Sequence, residues 1–163
     1  MTDLLPYRTL LVLVDDTPLG RATAEEGVRL AHALGAKVLF HAAIPPTPPI
    51  IGEANMTILP PPVDYDALDR ERAEKALAMA RRLAADAGTP CDTLVSVGTD
   101  IAEAANLAAN QYDCAMIVVG SYGRGTIARI ILGSVMANLT QIADRPVLVC
   151  KLHEDSGAAG PGA

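Results

Sequence analysis

The sequence predicts an α/β protein built on a doubly wound, five-stranded parallel sheet with four helices. Short apolar runs rich in β-forming residues alternate with longer segments in which apolar residues recur at helical spacing. The apolar runs are nearly continuous, which is typical of strands that helices cover on both faces. The chain is 50% apolar but only 3% aromatic, and small aliphatic side chains suit close packing of helices on a sheet.

The first alternation is a β-α-β unit. Residues 9–14 form an apolar strand that ends at Asp15 and Asp16, followed by the threonine and proline of a helix start. Asp15 is a candidate cap for this helix, and Asp16 is the better one. The helical pattern stops at Gly35, and residues 37–42 form the second strand. Two strands joined by a helix predict parallel pairing.

A proline-rich insertion at residues 43–65 interrupts the pattern. Seven prolines between residues 44 and 63 rule out a regular helix and disfavour a central strand, so we expect an irregular loop. Its apolar residues leave two interpretations open. Either the segment covers the protein or contacts a second subunit, or it is a simple surface excursion.

The remaining elements continue the alternation. An amphipathic helix is predicted over residues 66–87, and its many charges, Asp69 and Arg72 among them, are interpreted as a solvated face. The later predicted elements are a strand at 93–97, a short helix starting at 98–100, a strand at 114–119, a helix at 134–143 capped by Ser134, and a strand at 147–150. We expect one domain over residues 1–152 and a disordered tail over residues 153–163.

Composition limits the classes of partner. A net charge of −6 and the absence of Trp count against binding to nucleic acid or to an anionic membrane surface. Cys91, Cys114 and Cys150 are odd in number and lie in or beside apolar runs, so reduced thiols and a cytoplasmic location are expected. We expect neither a secretory leader nor a membrane span. The histidines show no metal-ligand spacing, and His41 is interpreted as a strand-end residue.

The predicted fold indicates where a ligand would bind. In doubly wound sheets, ligands lie at the carboxyl ends of the strands where the strand order reverses, which points to Asp15 and Gly120. A glycine-rich stretch starts at Gly120 and leads into a helix start at Gly133 and Ser134. Glycine amides and helix starts suit an anion such as phosphate, although the glycines could serve only the turn. A P-loop is excluded because Thr126 stands where its lysine would be, and the GxGxxG spacing is absent.

The glycines follow a spaced pattern, Gly120-x-x-Gly123, nine residues, then Gly133-Ser134, with the strand PVLVCK after it. Together with VLVDD, GTDIAEAA and YDCAMIVVGSYGRG, this pattern resembles the universal stress protein family, specifically its ATP-binding branch with the motif G-2x-G-9x-G-[S/T]. The resemblance covers about residues 8–151. It implies a Rossmann-like fold of the adenine nucleotide alpha-hydrolase-like type.

The same resemblance implies a site for ATP with Mg²⁺ or Mn²⁺. The residues matched to the ribose, the adenine and the sides of the nucleotide are Leu13, Val14, Asp15, Ala42, Val119 and Gly120. The residues matched to the phosphates are Gly123, Gly133, Ser134 and Val135. Asp15 or Asp16 would reach the metal ion through water.

Three further positions at this implied site have open roles. Met136 stands where the family often carries a second hydroxyl residue, so a side-chain phosphate donor is lost while the backbone amide remains. Arg124 either neutralises phosphate charge or is an exposed loop residue, and Tyr122 either lies over the site or packs within the loop. Ser134 as a plain helix cap is compatible with phosphate binding.

The leading hypothesis for function is an ATP-binding, stress-response regulatory protein with slow or no hydrolysis, because no catalytic nucleophile, base or metal cluster is recognisable. The alternatives are a weak ATPase or AMP-forming activating enzyme, and a signalling dimer whose degenerate site binds no nucleotide. The resemblance also implies a homodimer formed through the last strand, where Val147, Leu148 and Val149 present an apolar edge.

Overall fold

The computed structural model describes residues 8–46, 50–51, 58–59, 65–122 and 132–152. The predicted tail at 153–163 and most of the proline-rich insertion lie outside these residues. The elements, in chain order, are β1 (Thr9–Leu13), α1 (Pro18–Leu34), β2 (Lys37–Ile44), β3 (Ile50–Ile51), β4 (Ile58–Leu59), α2 (Tyr65–Asp86), β5 (Cys91–Val97), α3 (Ile101–Gln111), β6 (Met116–Tyr122), α4 (Leu132–Ile142) and β7 (Val147–Leu152).

Five strands form one parallel sheet in the order β5-β2-β1-β6-β7. The chain builds outward from β1 to β2 and β5, then crosses back to place β6 and β7 on the other side. The strand order therefore reverses between β1 and β6. This arrangement, with four helices, confirms the predicted doubly wound α/β fold.

Helices cover both faces of the sheet. On one face, α1 and α2 pack on a core that includes Val12, Phe40 and Val118. On the other, α3 and α4 pack on a core that includes Leu11 and Ile117. Because alternate side chains of a strand point to opposite faces, a strand between two helical layers needs apolar residues at nearly every position. This double burial explains the continuous apolar runs of the sequence.

The insertion contains a short antiparallel pair outside the main sheet. Ile50 pairs with Leu59, and Ile51 pairs with Ile58. The prediction of an irregular loop is therefore wrong for these four residues. Their β-branched and aliphatic side chains favour extended backbone, and they lie between the proline clusters rather than within them.

Three glycines allow α1 to lie close to the sheet and to the loop after β1. A Cβ atom at Gly27 would lie 2.6 Å from Cγ2 of Val12 on β1. A Cβ atom at Gly120 would overlap the hydroxyl oxygen of Thr23, and one at Gly20 would overlap the backbone carbonyl oxygen of Asp15. Close helix packing therefore holds both β6 and the loop after β1.

Two predicted boundaries need correction. The fourth predicted strand was expected to end at residue 119, but β6 continues through Gly120 to Tyr122, so Gly120 is a strand residue and not the start of a turn. Ser134 was expected to cap the next helix, but α4 already begins at Leu132 and Ser134 lies in its first turn. In the part of the chain that the structure describes, no helix has the length and apolarity needed to cross a membrane.

Candidate functional site

A cleft opens where the strand order reverses, at the carboxyl ends of β1 and β6. We call it the first cleft; its volume is about 140 Å³. Six residues predicted from the sequence line it together: Leu13, Val14, Asp15, Val119, Gly120 and Val135. Its other lining residues were not predicted from the sequence; they come from α1, β2 and α3 and are Leu19, Gly20, Thr23, Ala43 and Ile101.

A second cleft, of about 210 Å³, lies beside the first. The two share Val14, Asp15 and Ala43, so the loop after β1 stands between them. Ala42, predicted from the sequence, lines this second cleft together with the residues that follow it on β2. The opposite wall comes from α2, through Asp69, Arg72 and Ala73.

Asp15 touches both clefts, and its position is set by local hydrogen bonds. The backbone N–H of Thr17 donates to Oδ1 of Asp15 at 3.0 Å, and the Thr17 hydroxyl donates to the same oxygen. Thr17 is the N-cap of α1, because its hydroxyl oxygen accepts the N–H of Gly20 at 3.1 Å. The interpretation of Asp15 or Asp16 as the cap is therefore wrong.

Helix α1 also favours a negative charge at this position. The exposed carboxylate of Asp15 lies beside the first turn of α1, where the helix dipole is positive. The missing side chain at Gly20 lets the Asp15 backbone contact that turn. The site thus presents a fixed carboxylate, available to hydrogen-bond donors such as hydroxyl groups, at the junction of two apolar-floored clefts.

One charged residue of α2, Arg72, forms ion pairs at the second cleft. Arg72 forms ion pairs with Asp69, one turn earlier on α2, and with Asp16 in the loop after β1; each N···O distance is 3.8 Å. Asp69 is half-buried and Arg72 is exposed, with 34% and 56% of their side-chain surfaces accessible. The interpretation of these two residues as part of a solvated face is therefore incomplete, since they also line the second cleft.

The structure describes only some of the predicted phosphate-binding residues. Gly133 and Ser134 lie in the first turn of α4, next to Val135 of the first cleft, and Met136 is half-buried on the same helix. Tyr122 ends β6, where it is the register partner of Leu152. The predicted residues Gly123 and Arg124 lie outside the described residues.

His41 and the three cysteines do not line either cleft. His41 was expected at a strand end, but it is fully buried within β2, with Nε2 2.7 Å from the hydroxyl oxygen of Ser96. Burial lowers the pKa of His41 to about 4.

All three cysteines are free, and burial raises the pKa of Cys114 to about 11, which makes it a poor nucleophile. Within the described ranges, no three His, Cys, Asp or Glu residues are arranged to hold a metal ion.

Comparisons with known proteins by sequence and by structure all point to the same family. The sequence model described as "Universal stress protein family" matches residues 6–151. A universal stress protein of Thermus aquaticus is 31% identical over 147 residues, which are 89% of this chain and 99% of that protein. The solved structure of a universal stress protein in complex with cAMP is 25% identical, with a TM-score of 0.59 over 89% of this chain and 97% of that one. A structure of this family from Burkholderia pseudomallei has 21% identity and a TM-score of 0.68 over 89% and 96% of the two chains, and supports the fold.

Proposed function

The chain belongs to the universal stress protein family, and we propose that it is a regulatory protein that binds ATP, with Mg²⁺ or Mn²⁺, in the two joined clefts. The observation that carries this proposal is the meeting of both clefts at Asp15, at the point where the strand order reverses. The relative whose structure contains cAMP supports an adenine nucleotide as the class of ligand.

The charges around the two clefts favour one orientation of the nucleotide. Among the described residues, the second cleft is lined by Asp15, Asp16 and Asp69 against one cation, Arg72, so it repels phosphate and suits the uncharged base and ribose. The first cleft is mainly apolar and borders the first turn of α4 at Val135. A helix start attracts anions, so the phosphates would lie toward α4.

In this orientation the chain's own residues bind and orient the ligand. Ala42 and Ala43 leave room for the base, and the Asp15 carboxylate accepts hydrogen bonds from ribose hydroxyls. Ser134 and the glycines before it would contact the phosphates, and the divalent ion would offset their charge. We assign no residue a catalytic role, so we expect slow or no hydrolysis.

The first prediction is that Asp15→Asn weakens binding of ATP, AMP and adenosine alike by about tenfold or more, because a charge-assisted hydrogen bond to the ribose is lost. Calorimetric titration of nucleotide-free protein in Mg²⁺ measures this. The matched control is Asp86→Asn, which removes the same charge at the last residue of α2, outside both clefts, and should leave affinity unchanged.

A second variant in the same titration separates the two ends of the ligand. Gly123→Val should weaken ATP strongly and adenosine little, because it changes the predicted phosphate loop alone. A wild-type protein that binds none of the three ligands would contradict the proposed function. Release of phosphate from ATP well above the solvent rate, and lost in Asp15→Asn, would indicate a weak ATPase instead.

A further inference from the structure

The second cleft has two walls that come from distant parts of the sequence. One wall is the loop after β1, with Asp15 and Asp16, and the other is the exposed side of α2, with Asp69 and Arg72. The floor is the end of β2. The distance between the loop and α2 therefore sets how wide the cleft is.

Arg72 joins these two walls. Its Nε lies 3.8 Å from Oδ2 of Asp16 across the cleft, and its NH1 lies 3.8 Å from Oδ1 of Asp69 on its own helix. The pair with Asp69 holds the guanidinium in place, and the pair with Asp16 connects α2 to the loop. Ala73, the next residue, is buried and anchors this turn of α2 to the core.

The balance of charge in the cleft depends on the same side chain. Without Arg72, the three carboxylates of Asp15, Asp16 and Asp69 would line the second cleft with no cation among the lining residues that the structure describes. Like charges repel, so Asp16 and Asp69 would move apart and the cleft would widen. A wider cleft would hold a base and ribose less closely.

We propose that Arg72 is a positioning residue that sets the width of the nucleoside-binding cleft through its ion pairs with Asp16 and Asp69. This inference rests on the proposed function, because it concerns the end of the ligand that adenosine shares with ATP. The ion pairs are partly exposed, with 56% of the Arg72 side-chain surface accessible, so salt screens them. The affinity for the nucleoside end is therefore expected to depend on salt.

Adenosine is the appropriate probe because it carries no charge. Its binding therefore lacks a charge–charge attraction between protein and ligand that salt could screen, and comparison with Arg72→Gln isolates the part of the salt dependence that comes from the Arg72 ion pairs. We expect the dissociation constant of the wild type for adenosine to rise about threefold between 20 and 500 mM NaCl. Arg72→Gln should bind about threefold more weakly at low salt, and added salt should leave its affinity unchanged or raise it, because salt screens the repulsion among the remaining carboxylates.

Three further variants test whether the change in adenosine affinity depends on the ion pairs of Arg72. Arg70→Gln removes a cation from an exposed position of α2 and should behave as the wild type. Arg72→Lys should recover part of the affinity, because it keeps the charge but cannot bridge two carboxylates in the same way. Asp16→Asn combined with Arg72→Gln should be no weaker than Arg72→Gln alone, since both remove the same link.

Three outcomes would overturn the inference, and the third is distinguishable from the first two. Wild-type protein that binds adenosine with no salt dependence, or Arg72→Gln that keeps the wild-type salt dependence, would overturn the role of Arg72 alone. Wild-type protein that binds neither adenosine nor ATP would overturn the proposed function and this inference together.

Discussion

His41 shows how one buried side chain makes the protein sensitive to acid. It is fully buried in β2, it contacts Ser96 through Nε2, and burial lowers its pKa from 6.5 to about 4. The unfolded chain therefore binds a proton at a higher pH than the folded one. Its contribution to stability is complete above pH 6.5 and is lost as the pH falls toward 4.

We predict that the free energy of unfolding falls by up to about 1.4 kcal/mol per pH unit between pH 6.5 and 4 because of this residue, or roughly 3 kcal/mol in total. His41→Gln should remove that part of the pH dependence. Urea denaturation at a series of pH values measures it. His32→Gln, at an exposed position of α1, is the control, and an equal effect of both variants would contradict the assignment to His41.

Residue roles near the site could be predicted only where local sequence sets them. The position of Asp15 after the first strand was predictable, because it follows from where an apolar run ends. The cap of α1 was not, since Asp16 and Thr17 are both good caps and only the hydrogen bond of Thr17 to Gly20 distinguishes them. Arg72 is indistinguishable in the sequence from the other charges of α2, because its contact with Asp16 depends on tertiary packing.

At the scale of elements, α1 is held against the sheet by small residues on both sides of the contact. Gly27 admits Val12 of β1, and Thr23 occupies the space left by Gly120 of β6. The Thr23 hydroxyl donates to the carbonyl of Leu19 at 2.7 Å, so it is fixed in this position. The walls of the first cleft depend on the same contact, since Gly120 and Thr23 both line it.

We predict that Gly120→Ala destabilises the protein by about 1–3 kcal/mol, because the new methyl group would overlap the Thr23 hydroxyl and lie 3.0 Å from Leu19. Thr23→Ala removes that oxygen, so the double variant should recover part of the loss. Denaturant unfolding of the two single variants and the double variant gives the coupling energy. Strictly additive effects would contradict a direct contact between the two positions.

The helices and strands were predictable because apolar residues recur at different spacings in the two, but some of their boundaries were not. A glycine after an apolar run suggests a turn, whereas Gly120 continues β6 beneath α1. The sequence cannot separate these cases, because the reason for the glycine is a side chain on another element. The pairing of β3 with β4 was missed because nearby prolines obscured two short apolar pairs.

At the scale of the whole molecule, the sheet has two edges, and β7 forms one of them. Leu148 of β7 is 38% exposed, and Val147 and Val149 beside it are partly buried. An edge strand presents unpaired backbone groups, and an apolar edge strand favours pairing with another chain. The homodimer implied by the sequence resemblance would place its interface here.

We predict that sedimentation equilibrium gives a mass of twice 17.0 kDa for the wild type and that Leu148→Lys shifts it toward the monomer. A charge at the centre of an apolar interface costs too much free energy to be buried unpaired. Leu107→Lys on α3 is the matched control, because Leu107 is more exposed, at 63%, and lies on a different surface. A wild type that stays monomeric at high concentration would contradict the dimer.

The strand order also affects how the protein is made on the ribosome. Leu10 of β1 pairs with Met116 of β6, although roughly one hundred residues separate them in the chain. Until β6 has been synthesised, β1 can pair with β2 on one side, but its other side has no strand of the native order to pair with. The first cleft does not exist until β6 and α4 have been synthesised. A ligand that occupies the first cleft would therefore stabilise only a chain that has been synthesised through α4.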